Sequence, residues 1–187
     1  MQFASNLDSA MLFLLNAVFG LYLCALILRV ALQLVRADFY NPLAQFIWQI
    51  TQLPVEQLQR AIPHWRRVDL AAVTLAYVIS AINIWLALLL LDWQAGPIAA
   101  LWYALLKLIV VTLHLYSFCI FVQAIMSWLG PGMQSPASSL LWNVTEPLLR
   151  PVRQMLPPVG GLDLSPLLVL LVLQVAARLV PLHPLLR

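Results

Sequence analysis

Long apolar runs alternate with short segments in which polar and apolar positions are mixed. The apolar runs are Ala10–Val35, Leu70–Leu91, Ile98–Leu129 and Leu164–Leu182. A helix crosses about 30 Å of hydrocarbon at about 1.5 Å per residue, so roughly 20 residues suffice for a span. The fourth run is the shortest and carries Gln174 and Arg178. Between the runs lie two connectors. In the first, Asn41-Pro42 has the form of an N-cap followed by proline in the first helical turn. Leu43, Phe46, Ile47 and Ile50 then fall on one helical face, with Gln45, Gln49 and Gln52 on the other. In the second, Ser135-Pro136 precedes Ala137, Leu140, Leu141 and Val144 in the same spacing. Two short amphipathic helices are predicted, lying at the membrane interface with Trp48 and Trp142 at headgroup depth, the alternative being that they pack on the spanning bundle as ordinary structure. Pro54 and Pro147 are expected to end them.

The connectors match because the chain repeats itself. Tyr22, Pro42, Trp48, Thr51, Pro63 and Asp69 return as Tyr116, Pro136, Trp142, Thr145, Pro157 and Asp163, each 94 residues on. Residues 1–94 form a first membrane repeat, with spans at about 10–35 and 70–91 and connector 36–69. Residues 95–187 form the second, with spans at about 98–129 and 164–182 and connector 130–163. The predicted class is an all-α membrane protein with four transmembrane helices. They form a parallel tandem repeat of two-helix units, each with an amphipathic interfacial connector helix.

Composition agrees with this class. The chain is 63% hydrophobic and 9% charged, against roughly 25% charged in a soluble domain. Met1–Ala10 contains Asp8 and no basic residue, so the first run reads as a retained span, without the features of a cleaved signal. Arg36, Arg60, Arg66 and Arg67 lie in the first connector, and Arg150 and Arg153 in the second. The loop between the repeats, Asp92–Pro97, has no Lys or Arg. The positive-inside rule therefore puts both connectors in the cytoplasm and both termini outside, although Arg178 and Arg187 pull the other way. A net charge of +3, spread over membrane-adjacent positions, gives no reason to expect nucleic acid. Cys24 and Cys119 sit within spans and read as small apolar fillers.

Charged and strongly polar side chains inside spans cost free energy and are functional candidates by default. Arg29 and its counterpart Gln123 read as interfacial anchors, or as a polar pair facing each other across the two repeats. Lys107 and His114, seven residues apart and so on one helical face, could line a polar path with them, joined by Asn16, Asn83 and Gln174. Asn and Gln serve equally as interhelical hydrogen-bond glue. Asp69 stands where a helix begins and reads as a cap. Asp163 has the same role unless Ser165-Pro166 opens that helix; the alternative for both acids is a cation site. His64, His114 and His183 lack metal-ligand spacing. Nucleophile elbows, zinc-protease motifs and phosphate loops are absent from the sequence. No enzyme activity, cofactor or metal is expected.

The motif residues resemble those of the YggT family, which includes YlmG proteins and plastid relatives. In the first copy they are Asn41-Pro42, Thr51, Pro54, Arg60, Ile62-Pro63 and Asp69-Leu70. In the second they are Ser135-Pro136, Thr145-Glu146-Pro147, Arg150-Pro151, Arg153, Leu156-Pro157, Gly160-Gly161 and Asp163-Leu164-Ser165-Pro166. The second copy fits better, since the first has Gln52 for the acid and Arg66-Arg67 for the glycines. The resemblance spans roughly residues 10–183. It implies a multi-pass protein of the bacterial inner (plasma) membrane without established catalysis. It also implies a link to osmotic or extracytoplasmic stress tolerance, to division, and in plastids to cytochrome assembly. The implied partner surface comprises Asn41, Pro42, Thr51, Arg60, Pro63, Asp69, Thr145, Glu146, Pro147, Arg150, Pro151, Arg153, Asp163, Ser165 and Pro166.

Two functions compete. One is a non-enzymatic scaffold or assembly factor that works through its connectors on other membrane proteins, or on copies of itself, within the lipid bilayer. The other is an oligomeric channel or transporter component for cations used in osmotic adjustment, with Arg29, Lys107, His114 and Gln123 along its path.

Overall fold

A computed structural model describes residues 2–38, 40–60, 62, 68–129, 135–156 and 163–186. They form six α-helices: α1 (Gln2–Leu34), α2 (Pro42–Gln59), α3 (Leu70–Leu90), α4 (Pro97–Leu129), α5 (Pro136–Met155) and α6 (Ser165–Leu179). The protein is all-helical, and α1, α3 and α4 contain stretches long and apolar enough to cross a membrane: Leu7–Leu34, Leu70–Leu90 and Pro97–Ser127. The fourth apolar run is helical for only 15 residues. It stops before Pro181, because a residue preceding proline is disfavoured in the helical region. Beyond it the chain folds back, and Leu182 and Leu186 join Ile84, Leu88, Ala104 and Leu106 in a buried cluster.

Local chemistry sets the helix ends. The Asn41 side chain accepts the Leu43 N–H at the start of α2, and Asp69 accepts the Ala72 N–H at the start of α3. Ser135 and Ser138 make a reciprocal capping box at α5. The C-terminal ends of α1 and α3 close alike. Arg36 and Asp92 take positive φ, 52° and 48°, so that Ala37 N–H reaches Leu32 O and Trp93 N–H reaches Leu88 O.

Pro54 and Pro147 do not end the connector helices as expected. Both lie inside them, Pro151 as well, and α2 and α5 run on to Gln59 and Met155. A proline removes one backbone hydrogen bond, and here packing on neighbouring helices holds the helix through that gap. Val55 and Leu149, just beyond the prolines, are fully buried.

α3 packs between α1 and α4, and α4 between α3 and α6. α2 lies against α1 and α3, α5 against α4 and α6, and α5 also touches α2 and α1. The predicted apolar stripe of α2 divides in two. Ile47 turns inward with Ala44, Thr51 and Val55, whereas Leu43, Phe46, Ile50 and Leu53 remain exposed on a separate flank. Pro63, His64, Arg66, Arg67, the Gly130-Pro131-Gly132 turn, Pro157 and Gly160-Gly161 lie outside the described residues.

Candidate functional site

Each connector helix covers a polar cluster, and the two clusters use matching positions. Beneath α2, Arg29 from α1 donates through Nη1 to Thr51 Oγ1 at 3.0 Å and stands 3.6 Å from Asp69 Oδ2 through Nη2. Thr51 passes its own proton to the Ile47 carbonyl at 2.6 Å. The Arg29 guanidinium lies 3.9 Å from the centre of the Trp48 ring, a cation–π contact. Asp69 also accepts from Gln59 Nε2 at 2.7 Å, and its own N–H donates to Gln33 Oε1 at 3.2 Å. Arg29 is 2% exposed and Asp69 1%, so this is an ion pair sealed from water. Removing two charges from water costs several kcal/mol per ion, and only close geometry with further hydrogen bonds repays it. The threonine, the indole face and Gln59 supply partners to the charges, Gln33 meets the Asp69 backbone N–H, and among the described residues Arg29 Nε has no hydrogen-bond partner.

Beneath α5, Gln123 from α4 takes the place of Arg29 and meets Thr145, which also donates to the Leu141 carbonyl at 2.8 Å. The Thr145 hydroxyl has one proton, and the two acceptors in reach are Gln123 Oε1 and the Leu141 carbonyl, whereas in the first cluster the guanidinium is the donor to the threonine. The cation now comes from the connector. Arg153 donates through Nε to Asp163 Oδ2 at 2.7 Å and through Nη1 to Glu146 Oε2 at 2.6 Å. Its guanidinium lies 4.8 Å from the centre of the Trp142 ring. These three charged side chains are all half-buried. Asp163 Oδ1 accepts the Ser165 N–H at 2.9 Å. Burial alone would raise the Asp163 pKa, but hydrogen bonds from Arg153 and Ser165 and the Arg153 charge outweigh it and hold the carboxyl below its ordinary value.

Arginine and glutamine have thus exchanged places. Positions 29 and 59 hold Arg and Gln; positions 123 and 153 hold Gln and Arg. In both copies the span side chain binds the connector threonine, the connector side chain binds the aspartate, and whichever is Arg lies over the tryptophan. The sequence reading missed Gln59 and the role of Arg153 as partner to two acids. Reading positions 59 and 153 in the register already used for 29 and 123 would have exposed the exchange. The cap reading holds for Asp69, and each acid also takes a cation. Ser165 opens α6 after Leu164 and does not cap it.

The other sequence candidates are placed as follows. Arg29 and Gln123 do not face each other; each turns to the threonine of its own connector. Lys107 is buried in the middle of α4 and donates to Asn16 Oδ1 at 2.7 Å, whereas His114, two turns further on, is exposed. The two share a face by angle, but α4 is 33 residues long and meets different neighbours along its length. Asn41 ties the connectors together by donating to Pro136 O and Ser139 Oγ. A cleft of about 230 Å³ lies there between Asp38, Asn41, Ser139 and Asn143. Pro42, Arg60, Pro147, Arg150 and Pro151 are exposed, and Pro166 is half-buried. Among the described residues, no group of three or more His, Cys, Asp or Glu could hold a metal ion.

The comparisons with known proteins agree with this picture at family level. The CCB3/YggT family model matches twice, over residues 9–90 and 102–185. An uncharacterized protein of Pseudomonas aeruginosa is 38% identical over 177 residues, covering 94% of this chain and 90% of its own length. The uncharacterized protein YggT of Escherichia coli is 38% identical over 164 residues, covering 87% and 85%. The uncharacterized protein in the proC 3′ region of Vibrio alginolyticus is 38% identical over 170 residues, covering 90% and 91%. No solved structure matches. With a family match over most of its length and relatives at this identity, the chain belongs to the CCB3/YggT family.

Proposed function

We propose that the protein is a non-enzymatic, four-span scaffold or assembly factor of the bacterial inner membrane. It is built from two tandem two-span units with their connectors at the cytoplasmic face and their termini in the periplasm. One observation carries this reading: the span–threonine and connector–aspartate contacts recur 94 residues apart, each clamping a connector helix onto its spans. Chemistry of this kind holds a surface in shape. It contains no nucleophile beside a base and no oxyanion donor set aimed at a common point. The first clamp is sealed, while the second presents Glu146, Arg153 and Asp163 to water beside the exposed Arg150. The second connector is therefore the face offered to a membrane protein partner, in keeping with a role in envelope stress or division. Replacing Glu146 or Arg150 by Ala should reduce recovery of crosslinked partners at least several-fold, with membrane insertion unchanged. Equal recovery from wild type and both variants would sink the reading.

The buried Lys107–Asn16 pair favours a second reading, a cation path through the bundle used in osmotic adjustment. Cation flux into liposomes carrying the purified protein, compared with the Lys107→Met variant, separates the two readings.

A further inference from the structure

Within the chain, the first unit offers one face to the second, and the equivalent face of the second unit is bare. α3 packs along α4, with Ser80 Oγ donating to the Ala104 carbonyl at 2.8 Å and Tyr77 to the Leu101 carbonyl at 3.1 Å. Moved by the 94-residue register, this interface would join α6 to α1, with Gln174 in place of Ser80 and Ala10 in place of Ala104. Among the described residues those helices share no more than a marginal contact. Instead Gln174, Arg178 and Ala10 are exposed, although their counterparts Ser80, Ile84 and Ala104 are fully buried. Phe13 is 71% exposed where Lys107 is 1%. An amide in mid-helix on a lipid-facing surface is costly, and polar side chains at such depth face a protein neighbour.

The connector layer shows the same imbalance independently. Leu140 and Val144 of α5 pack on Ala31, Leu32, Ala44 and Ile47 of the first unit. Their counterparts on α2 are Phe46 and Ile50, and Phe46 is 58% exposed where Leu140 is 5%. The surface that would receive them on the second unit includes Ile125, which is exposed where Ala31 is buried.

We propose that a second copy of this chain, in the same membrane orientation, binds head to tail. In this contact α6 of one copy lies on α1 of the next, Gln174 donates to the helix backbone near Ala10, and Phe46 covers the α4–α5 surface near Ile125. The inference rests on the tandem-unit reading above. A two-fold relation between the units would satisfy both faces inside one chain. Here only one is satisfied, so the contact is heterologous and continues into further copies until the rotation closes a ring. Lipid is the competing occupant. It can cover Phe46 and Phe13, but it offers the Gln174 amide no acceptor at that depth.

The test uses full-length chains lacking native thiols (Cys24→Ala, Cys119→Ala), reconstituted in bilayers and treated with a short bis-maleimide. Chains with Ala10→Cys and chains with Gln174→Cys carry different tags. The expected result is a two-chain product from the mixture and none from either variant alone. The Ser80→Cys/Ala104→Cys chain, crosslinked within itself, reports that the intrachain interface is as described. An empty mixture beside a positive control assigns these faces to lipid and overturns the proposal. Self-crosslinking of Gln174→Cys alone indicates a symmetric contact and also overturns it. A negative control overturns the tandem-unit reading, and the proposal with it. Phe46→Gln changes an exposed side chain of the single chain, so its fold should survive while the two-chain form weakens about tenfold or more. An unchanged association would remove the connector layer from the contact.

Discussion

Beneath the first connector the arginine stands on the span and is sealed in; beneath the second it stands on the connector and is wetted. The threonine, tryptophan and aspartate are common to both clusters, so the contrast isolates the effect of where the charge is rooted. At about 4 Å, two unit charges attract by about 4 kcal/mol at an effective dielectric of 20, and by about 1 kcal/mol in water. Arg29 and Asp69 sit near the first limit, with the desolvation of both charges opposing the attraction. Arg153, Asp163 and Glu146 sit nearer the second, and they carry one net negative charge, whereas the Arg29–Asp69 pair is balanced. A sealed, balanced cluster fixes a connector. A wetted cluster with a surplus acid fixes one less tightly, which is the property the proposed partner surface needs.

The most damaging way to break this comparison is to remove one charge of the sealed pair. Arg29→Ala removes the guanidinium 3.6 Å from the buried Asp69 carboxylate, and Asp69→Asn removes the charge that faces the buried arginine. Each should cost about 3–5 kcal/mol, read as a lowered denaturation midpoint in detergent. A loss below about 1 kcal/mol for both would mean that water reaches the pair and the two clusters do not differ in kind.

Exchanging the rooting sharpens the comparison. Gln123→Arg alone puts a second cation beneath α5, next to Arg153. Adding Arg153→Gln restores the arrangement of the first copy. The double variant should regain most of the stability lost by Gln123→Arg, giving a coupling of about 0.5–3 kcal/mol in a double-mutant cycle. Strict additivity would show that positions 123 and 153 do not share one cluster.

Much of this architecture was legible before the structure. Helices, caps at Asn41, Asp69 and Ser135, and the 94-residue register follow from apolar length and turn chemistry, which act locally. The continuation of α2 and α5 past Pro54 and Pro147 was hidden, because the packing that holds Val55 and Leu149 comes from other helices. The span pair Arg29 and Gln123 was visible as a register match but not as two separate clusters. Which neighbour a long side chain chooses depends on where Thr51 and Thr145 stand on the packed connector. Apolar runs also said little about α6, where Pro181 and the folded-back tail shorten the helix.

Breaking the wetted cluster should cost less. Arg153→Ala should lower stability by about 1 kcal/mol or less, the range of exposed ion pairs, and the loss should shrink as salt is raised. The same substitution should reduce partner recovery as strongly as Arg150→Ala. A stability loss matching that of Arg29→Ala would put both clusters in the same role.

The smallest effect separates the clusters by pH. Asp163 has a folded pKa below its ordinary value, and a free aspartate titrates near 3.9. A depressed carboxylate contributes its stabilisation fully above the unfolded pKa and loses it as pH falls through the folded one. The stability gap between wild type and Asp163→Asn should therefore be constant from neutral pH down to about 5 and close below about 4. The residue is partly exposed, so the gap is small and high salt should narrow it further. A gap that closed well above pH 5 would mean that Arg153 does not hold the carboxylate in its charged form. The exchanged Arg–Gln arrangement would then describe geometry without electrostatic consequence.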